Sequence, residues 1–446
     1  LEIFAQSEKS WNMGKLFANS AEKDGYGIGG DDAGYINIFG GFVKATGVNS
    51  PGLGARAIRI IGGDITAKSN HEAAIGSVDY GLGSNVRIFS GKVHATSDTG
   101  CGIGGGRGSA EGSIGIFGDE VTAQGEIGIG FYNGGDIWIK DGTVKATGTN
   151  TAIGTAGDYN TSGHCGDISI DGGEVTAIGN HQYGDAYGIG CDWKNSCGDV
   201  RISGGEVTLK NNRGIRVPDF KKVEVTGGSI NDYYNYESNS HEGIQGILSV
   251  CQKGDEIPQI VTGEIGGSCI SIDAGDIKCS GMSSEELSID NSHIIYAGFI
   301  SSSGSLSIEN SRVYGEASIR AEYDVCIEES EVSCSSIEAH SIAIKRCTGG
   351  LNGWLVADHR VEISDKSELT TRPIHCEELE INDSKVSARG FGVGAMYPDG
   401  IDAKNVVVND GILYADAIRG KLHINEENTT NNSRSIVYSE AVLDHS

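Results

Sequence analysis

The chain has 446 residues and a formal net charge of −27, a balance that repels polyphosphate and argues against nucleic acid as a partner. Glycine is abundant at 69 and proline scarce at 5, a composition suited to many tight turns between short strands, and the glycines show no three-residue period, which excludes collagen. No apolar run reaches the length that crosses a bilayer, and the chain opens on Leu1 rather than Met, as expected of a processed product from which a signal or partner domain has been removed.

The first two dozen residues lack the pattern that follows. Ser10 to Glu22 is expected to form a helix capping the open end of the structure, where strand edges would otherwise be unpaired. From residue 25 one motif recurs: two alternating apolar residues, a Gly-Gly or Asp-Gly turn, a Val-x-Ala strand and a Gly-Ile-Gly return. Its copies include Ile36-Asn37-Ile38 before Gly40-Gly41, Ile58-Arg59-Ile60 before Gly62-Gly63, Ile137-Trp138-Ile139 before Asp141-Gly142, and Ile168-Ser169-Ile170 before Gly172-Gly173. Val200-Arg201-Ile202 and Val223-Glu224-Val225 continue the series. A unit this short cannot bury its own apolar face, so the copies must stack, and the two-residue alternation says they stack as strands. The expected fold is an all-β parallel β-helix. A solenoid grows by adding rungs, so residues 25–446 are expected to form one domain.

The rungs divide into two kinds. Up to about residue 270 loops of variable length are inserted at one edge, the usual place for binding in a solenoid. The richest are Thr155 to Gly166, with Tyr159 and His164, and Ile178 to Gly198, with His181, Tyr183, Asp185, Tyr187, Asp192 and Trp193; the run Tyr233 to Tyr236 opens a further excursion. Over 271–446 the rungs shorten and even out, as in Leu287-Ser288-Ile289 and Leu306-Ser307-Ile308, leaving little room for a site apart from Gly390 to Lys404, which holds Phe391, Met396, Tyr397, Asp399 and Asp402. The 11 cysteines are odd in number and lack a framework spacing. Cys326, Cys334 and Cys347, in successive short rungs, read as small buried hydrophobes, and Trp354 as a packing residue. Cys191 and Cys197, which bracket Trp193, are the expected disulfide, and no zinc spacing is present.

In two copies of the Gly-Ile-Gly return an aspartate stands four before the isoleucine and another three after it, Asp24 with Asp31 and Asp185 with Asp192, and a related pair, Glu72 with Asp79, flanks Ile75 in a copy with Ala in place of the first Gly. Two carboxyls on either side of one sugar are what glycosidic cleavage needs, an acid for the leaving oxygen and a nucleophile or base opposite. Asp185 and Asp192 have the best surroundings. Trp193, Tyr187, Tyr183 and His181 share their loop, Trp138 and Tyr132 come from earlier rungs, His164 comes from the neighbouring loop, and Asn211, Asn212, Arg213 and Arg216 follow on the next rung as donors to sugar hydroxyls. The bland reading stands beside this one: aspartate is favoured in turns for local hydrogen bonding, and Asp24 with Asp31 fits that role at the first rung. The same stacked acids also offer oxygens to a structural Ca²⁺, and no other cofactor is implied.

The segment Asp185-Ala186-Tyr187-Gly188-Ile189-Gly190-Cys191-Asp192-Trp193, set among Gly-rich Val-x-Ala rungs, resembles the lacto-N-biosidases of glycoside hydrolase family 136. The resemblance implies a right-handed β-helix catalytic domain with two aspartates seven positions apart, Asp185 as acid/base and Asp192 as nucleophile, in retaining release of lacto-N-biose from the non-reducing end of milk-type or mucin-type glycans. It also implies a bacterial extracellular or cell-surface setting, and a helical partner domain or subunit. Two rivals remain: a non-catalytic carbohydrate-binding or adhesin β-helix using the same loops, and a lyase of pectate-lyase type, for which Arg213 and Arg216 are the nearby bases and which the acidic charge disfavours.

Overall fold

The computed structural model describes every residue except 5–13, 31, 108, 110–111, 158–161, 181–185, 192–193, 212, 219, 233–242, 391–399, 426–434 and 444–446. The described residues form 44 strands and no helix, and the paired strands run parallel, as in a parallel β-helix. The chain divides into two compact units, Leu1–Gly263 and Glu264–Ser446.

In the first unit each turn of the chain contributes to three faces. The first face takes the Ile-x-Ile strands in order, Tyr35–Ile38, Ala57–Ile60, Asn85–Ile88, Ser113–Ile116, Ile137–Ile139, Ile168–Ile170 and Val200–Ile202, each in register with the next. The second takes the Val-x-Ala strands, where Val43, Ile65, Val93, Val121, Val144, Val175 and Val207 align. The third takes the Gly-Ile-Gly returns, aligning Leu53, Ile75, Ile103, Ile129, Ile153, Ile189 and Ile215. These aligned side chains are buried and stack on their own kind from rung to rung. That is the physical reason for the alternation: every second residue faces a column of similar branched residues, and the intervening one faces out. The Gly-Gly turn between the first two faces recurs because its second residue has positive φ, +106° at Gly63, where a Cβ would also lie 2.6 Å from Gly41 O.

In the second unit the rungs are shorter. Leu287, Leu306, Val325, Ile342, Val361, Leu379 and Val406 form one buried column, and Met282, Ile300, Ile319, Ile337, Leu355, Ile374 and Ile401 another.

Three expectations need correction. The segment expected to be a capping helix contains the strand Lys15–Asn19 instead, which pairs with Phe42–Thr46 and adds a strand to the second face; Leu16 and Ala18 stand in register with Val43 and Ala45. The added strand pairs the edge of Phe42–Thr46 that the helix was expected to cover. Cys334 and Cys347 are buried, but Cys326 is only half-buried, because it is the middle residue of Val325-Cys326-Ile327 and so points outward between Ser307 and Ala343. Trp354 lies at the surface, its Nε1–H donating to Glu338 Oε1 at 2.8 Å. Cys191 and Cys197 meet, with their sulfurs 3.1 Å apart and unbonded. The Tyr233 to Tyr236 run and the segment from Phe391 to Asp399 lie outside the described residues.

Candidate functional site

The third face is where the sequence placed its acids. Each of its strands lies between a connection arriving from the second face and one leaving for the first. The strands open on a column of aligned residues, Cys101, Ile127, Thr151 and Tyr187, and close on another, Gly104, Gly130, Gly154 and Gly190, which Arg216 continues one rung on. Tyr132 folds over the first column and is buried with Ala73, Cys101, Ile127 and Ala156 in a cluster of its own, a satellite core of the kind found under long loops.

Of the expected site residues, Asp185, Asp192, Trp193, Tyr183, His181 and Asn212 lie outside the described residues, as does Tyr159. Tyr187 heads the strand Tyr187–Gly190 and is 5% exposed. Two guanidinium groups from the next rung approach its ring, Arg213 at 6.0 Å and Arg216 at 5.9 Å from the centroid. Arg216 Nη1 is buried and has no hydrogen-bond acceptor among the described residues. His164 lies on the connection leaving the third face, where its Nδ1 is 2.9 Å from Ser196 Oγ. Trp138 points out from the first face and stacks with Arg87, 5.2 Å from guanidinium carbon to ring centroid. The structure thus gathers Tyr187, Arg213 and Arg216, and gives His164 and Trp138 other neighbours.

The second acidic pair is fully described. Glu72 and Asp79 flank the strand Ile75–Gly76, and the connections on its two sides fold back so that Glu72 Oε2 accepts the Asp79 N–H at 2.8 Å. Asp79 Oδ1 accepts the backbone N–H of Arg107. Arg107 Nη2 donates to Glu126 Oε2 at 2.9 Å, the Tyr132 hydroxyl donates to the same oxygen at 2.5 Å, and Asn150 Nδ2 donates to Glu126 Oε1 at 2.6 Å. The Arg107 guanidinium covers the Tyr132 ring at 4.9 Å. Desolvation, with repulsion from Asp79 second, pushes the Glu72 carboxyl up to about 8, so it carries its proton at neutral pH. Burial likewise raises the Tyr132 hydroxyl and the Cys101 thiol. A protonated acid beside a second carboxyl is the arrangement that proton transfer uses.

Sequence reasoning singled out Glu72, Asp79 and Tyr132 but missed Arg107, Glu126 and Asn150. A signal existed for two of them: Glu126 and Asn150 immediately precede Ile127 and Thr151, which are paired in register, so they occupy equivalent places at the entrance to the third face. As for cations, no group of three or more His, Cys, Asp or Glu among the described residues could hold a metal ion. Glu72, Asp79 and Glu126 accept hydrogen bonds from the chain itself, and Asp24 accepts one from Asn49 Nδ2 at 3.1 Å.

A family model described as a β-helix repeat matches residues 86–107 and 168–193, the second stretch running from the Ile-x-Ile strand through the whole Asp185 to Trp193 loop. No curated protein and no solved structure is similar enough to match.

Proposed function

We propose that this protein is a retaining glycoside hydrolase that releases a disaccharide, lacto-N-biose, from the non-reducing end of milk-type or mucin-type glycans. Asp192 attacks the anomeric carbon while Asp185 protonates the leaving oxygen, and Asp185 then activates the water that frees the sugar. Arg213 and Arg216, packed against the buried Tyr187 ring, supply two donor groups, and the setting is extracellular or at a bacterial cell surface, with a helical partner domain or subunit. The observation that carries this reading is the upstream pair. Two acids seven positions apart, Glu72 and Asp79, reach each other across a third-face strand, three before and four after Ile75, and Asp185 and Asp192 keep the same separation one place earlier, four before and three after Ile189.

Incubation with lacto-N-tetraose, followed by chromatography, tests the proposal. Release of the disaccharide is expected, and Asp185→Asn and Asp192→Asn are each expected to lower the rate by roughly 10² to 10⁴-fold with the fold intact. A second reading, a non-catalytic carbohydrate-binding β-helix, is favoured by the engagement of Glu72, Asp79 and Glu126 by the chain's own N–H and O–H groups. Glycan binding without release, unchanged in both Asn variants, would establish it instead.

A further inference from the structure

Three thiols of the first unit converge on the connection that leaves the third face. The parallel bridge between His164 and Ser196 sets these residues side by side on neighbouring turns. Cys165 N–H donates to Ser196 O at 3.0 Å, and Gly198 N–H returns to Cys165 O at 3.1 Å, so Cys165 and Cys197 lie abreast. Cys191 arrives from the end of the strand Tyr187–Gly190, and its N–H is held by Arg216 O at 3.0 Å. Its sulfur is 3.1 Å from that of Cys197, and Cys165, Cys191 and Cys197 are 0%, 1% and 1% exposed. A disulfide bond measures about 2.05 Å, so an approach of roughly 1 Å completes one. Like Cys101, Cys334 and Cys347, which donate to backbone carbonyls at 3.2, 3.5 and 2.9 Å, Cys191 and Cys197 have carbonyl acceptors, Asn195 O at 3.5 Å and Arg216 O at 3.7 Å; the 3.1 Å contact between their two sulfurs is what makes them a pair.

We propose that Cys191 and Cys197 form a disulfide that ties together the two ends of the 192–196 stretch, with Cys165 as a third thiol able to exchange into it. The proposal is independent of whether Asp192 is a nucleophile. The oxidant is a low-molecular-weight disulfide such as oxidised glutathione. The Cys197 thiolate attacks one of its sulfurs, forming a mixed disulfide and releasing one glutathione thiolate. Cys191, as its thiolate, then attacks the Cys197 sulfur and expels the second. Two electrons pass from the two cysteines to the glutathione disulfide, and the two thiol protons end on the two glutathione molecules released. In the folded chain the hydrogen bond that Cys197 donates to Cys165, together with desolvation, pushes the Cys197 thiol up, so it is a poor nucleophile near neutral pH. Oxidation therefore belongs to the folding chain, before these sulfurs are enclosed, and the finished bond is shielded from reductants.

The test uses the full chain, reduced and unfolded, then refolded in a mixture of reduced and oxidised glutathione and quenched with acid. Remaining thiols are blocked with N-ethylmaleimide under denaturing conditions, and the chain is digested without reduction. Cleavage after Glu174 and Lys194 puts Cys165, Cys191 and Cys197 on separate peptides. Mass spectrometry is expected to find nine of the 11 cysteines blocked and the Cys191 and Cys197 peptides joined. In Cys191→Ser the Cys165 and Cys197 peptides should be joined instead. Refolded wild-type protein with all three cysteines blocked, or with Cys197 bonded outside the trio, overturns the proposal, and this wild-type arm stands even if the variant does not fold.

Discussion

Glu72 is the residue whose environment has the clearest measurable consequence. Its carboxyl is raised from 4.5 to about 8 in the folded protein, so between those values the native state holds a proton that the unfolded chain has lost. Stability contributed at this position is therefore highest at acid pH and declines as pH rises from about 4.5 to about 8. Glu72→Gln keeps an oxygen for the Asp79 N–H but cannot ionise. The variant is expected to match wild type in thermal unfolding at pH 5 and to melt higher than wild type at pH 9; parallel loss of stability in both proteins would refute this assignment. Gly104 shows the opposite kind of constraint, geometric rather than electrostatic. Its φ is +149°, and a Cβ there would sit 1.6 Å from Gly130 O. Gly104→Ala should destabilise the first unit by ~3 kcal/mol or more in denaturant titrations. Gly350→Ala, where a Cβ meets nothing within 4 Å, should be close to neutral.

Within the second unit, the short rungs close with a repeated turn in which a residue of positive φ precedes a buried serine: Asn291 before Ser292, Asn310 before Ser311, and Glu329 before Ser330. The serine hydroxyl donates to the carbonyl two residues back, 2.5 Å for Ser311 to Glu309 O, and accepts an N–H from the preceding rung, 3.1 Å from Ser292 to Ser311 Oγ. Ser330 repeats this one rung on, accepting the Ser311 N–H at 3.0 Å. The hydroxyls thus satisfy buried backbone groups that strand pairing leaves over at the corner. Ser311→Ala strands the Ser292 N–H and should lower stability by ~1–3 kcal/mol in urea unfolding. Ser307, on an outward position where its hydroxyl bonds to Ser288 Oγ at 3.2 Å, is the control, with an expected loss below about 0.5 kcal/mol. An equal effect at both positions would show that the corner ladder has no special role.

For the molecule as a whole, 61 acidic residues against 34 basic ones leave a net charge of −27, and the ion pairs present are largely exposed. Self-repulsion of that size is screened by salt, so the melting temperature should rise between low and physiological ionic strength, and a fall would mean that local ion pairs outweigh it. The fold class was legible in the sequence because a solenoid writes the same local rule into every rung: Ile-x-Ile, Gly-Gly and Val-x-Ala each announce a face or a turn without reference to distant residues. The N-terminal strand Lys15–Asn19 was not, because its partner Phe42–Thr46 dictates its conformation. The same division holds at the site. Spacing alone picked out Glu72 with Asp79 and Asp185 with Asp192, since both pairs bracket a recognisable return. That Arg107, Glu126, Tyr132 and Asn150, drawn from three successive rungs, close around one another was decided only by stacking. The same is true of the trio of thiols and of the two arginines over Tyr187. Alternation and turn chemistry act between neighbours in sequence, whereas the register of one rung on the next sets which outward side chains meet, and that register depends on the lengths of the loops between them.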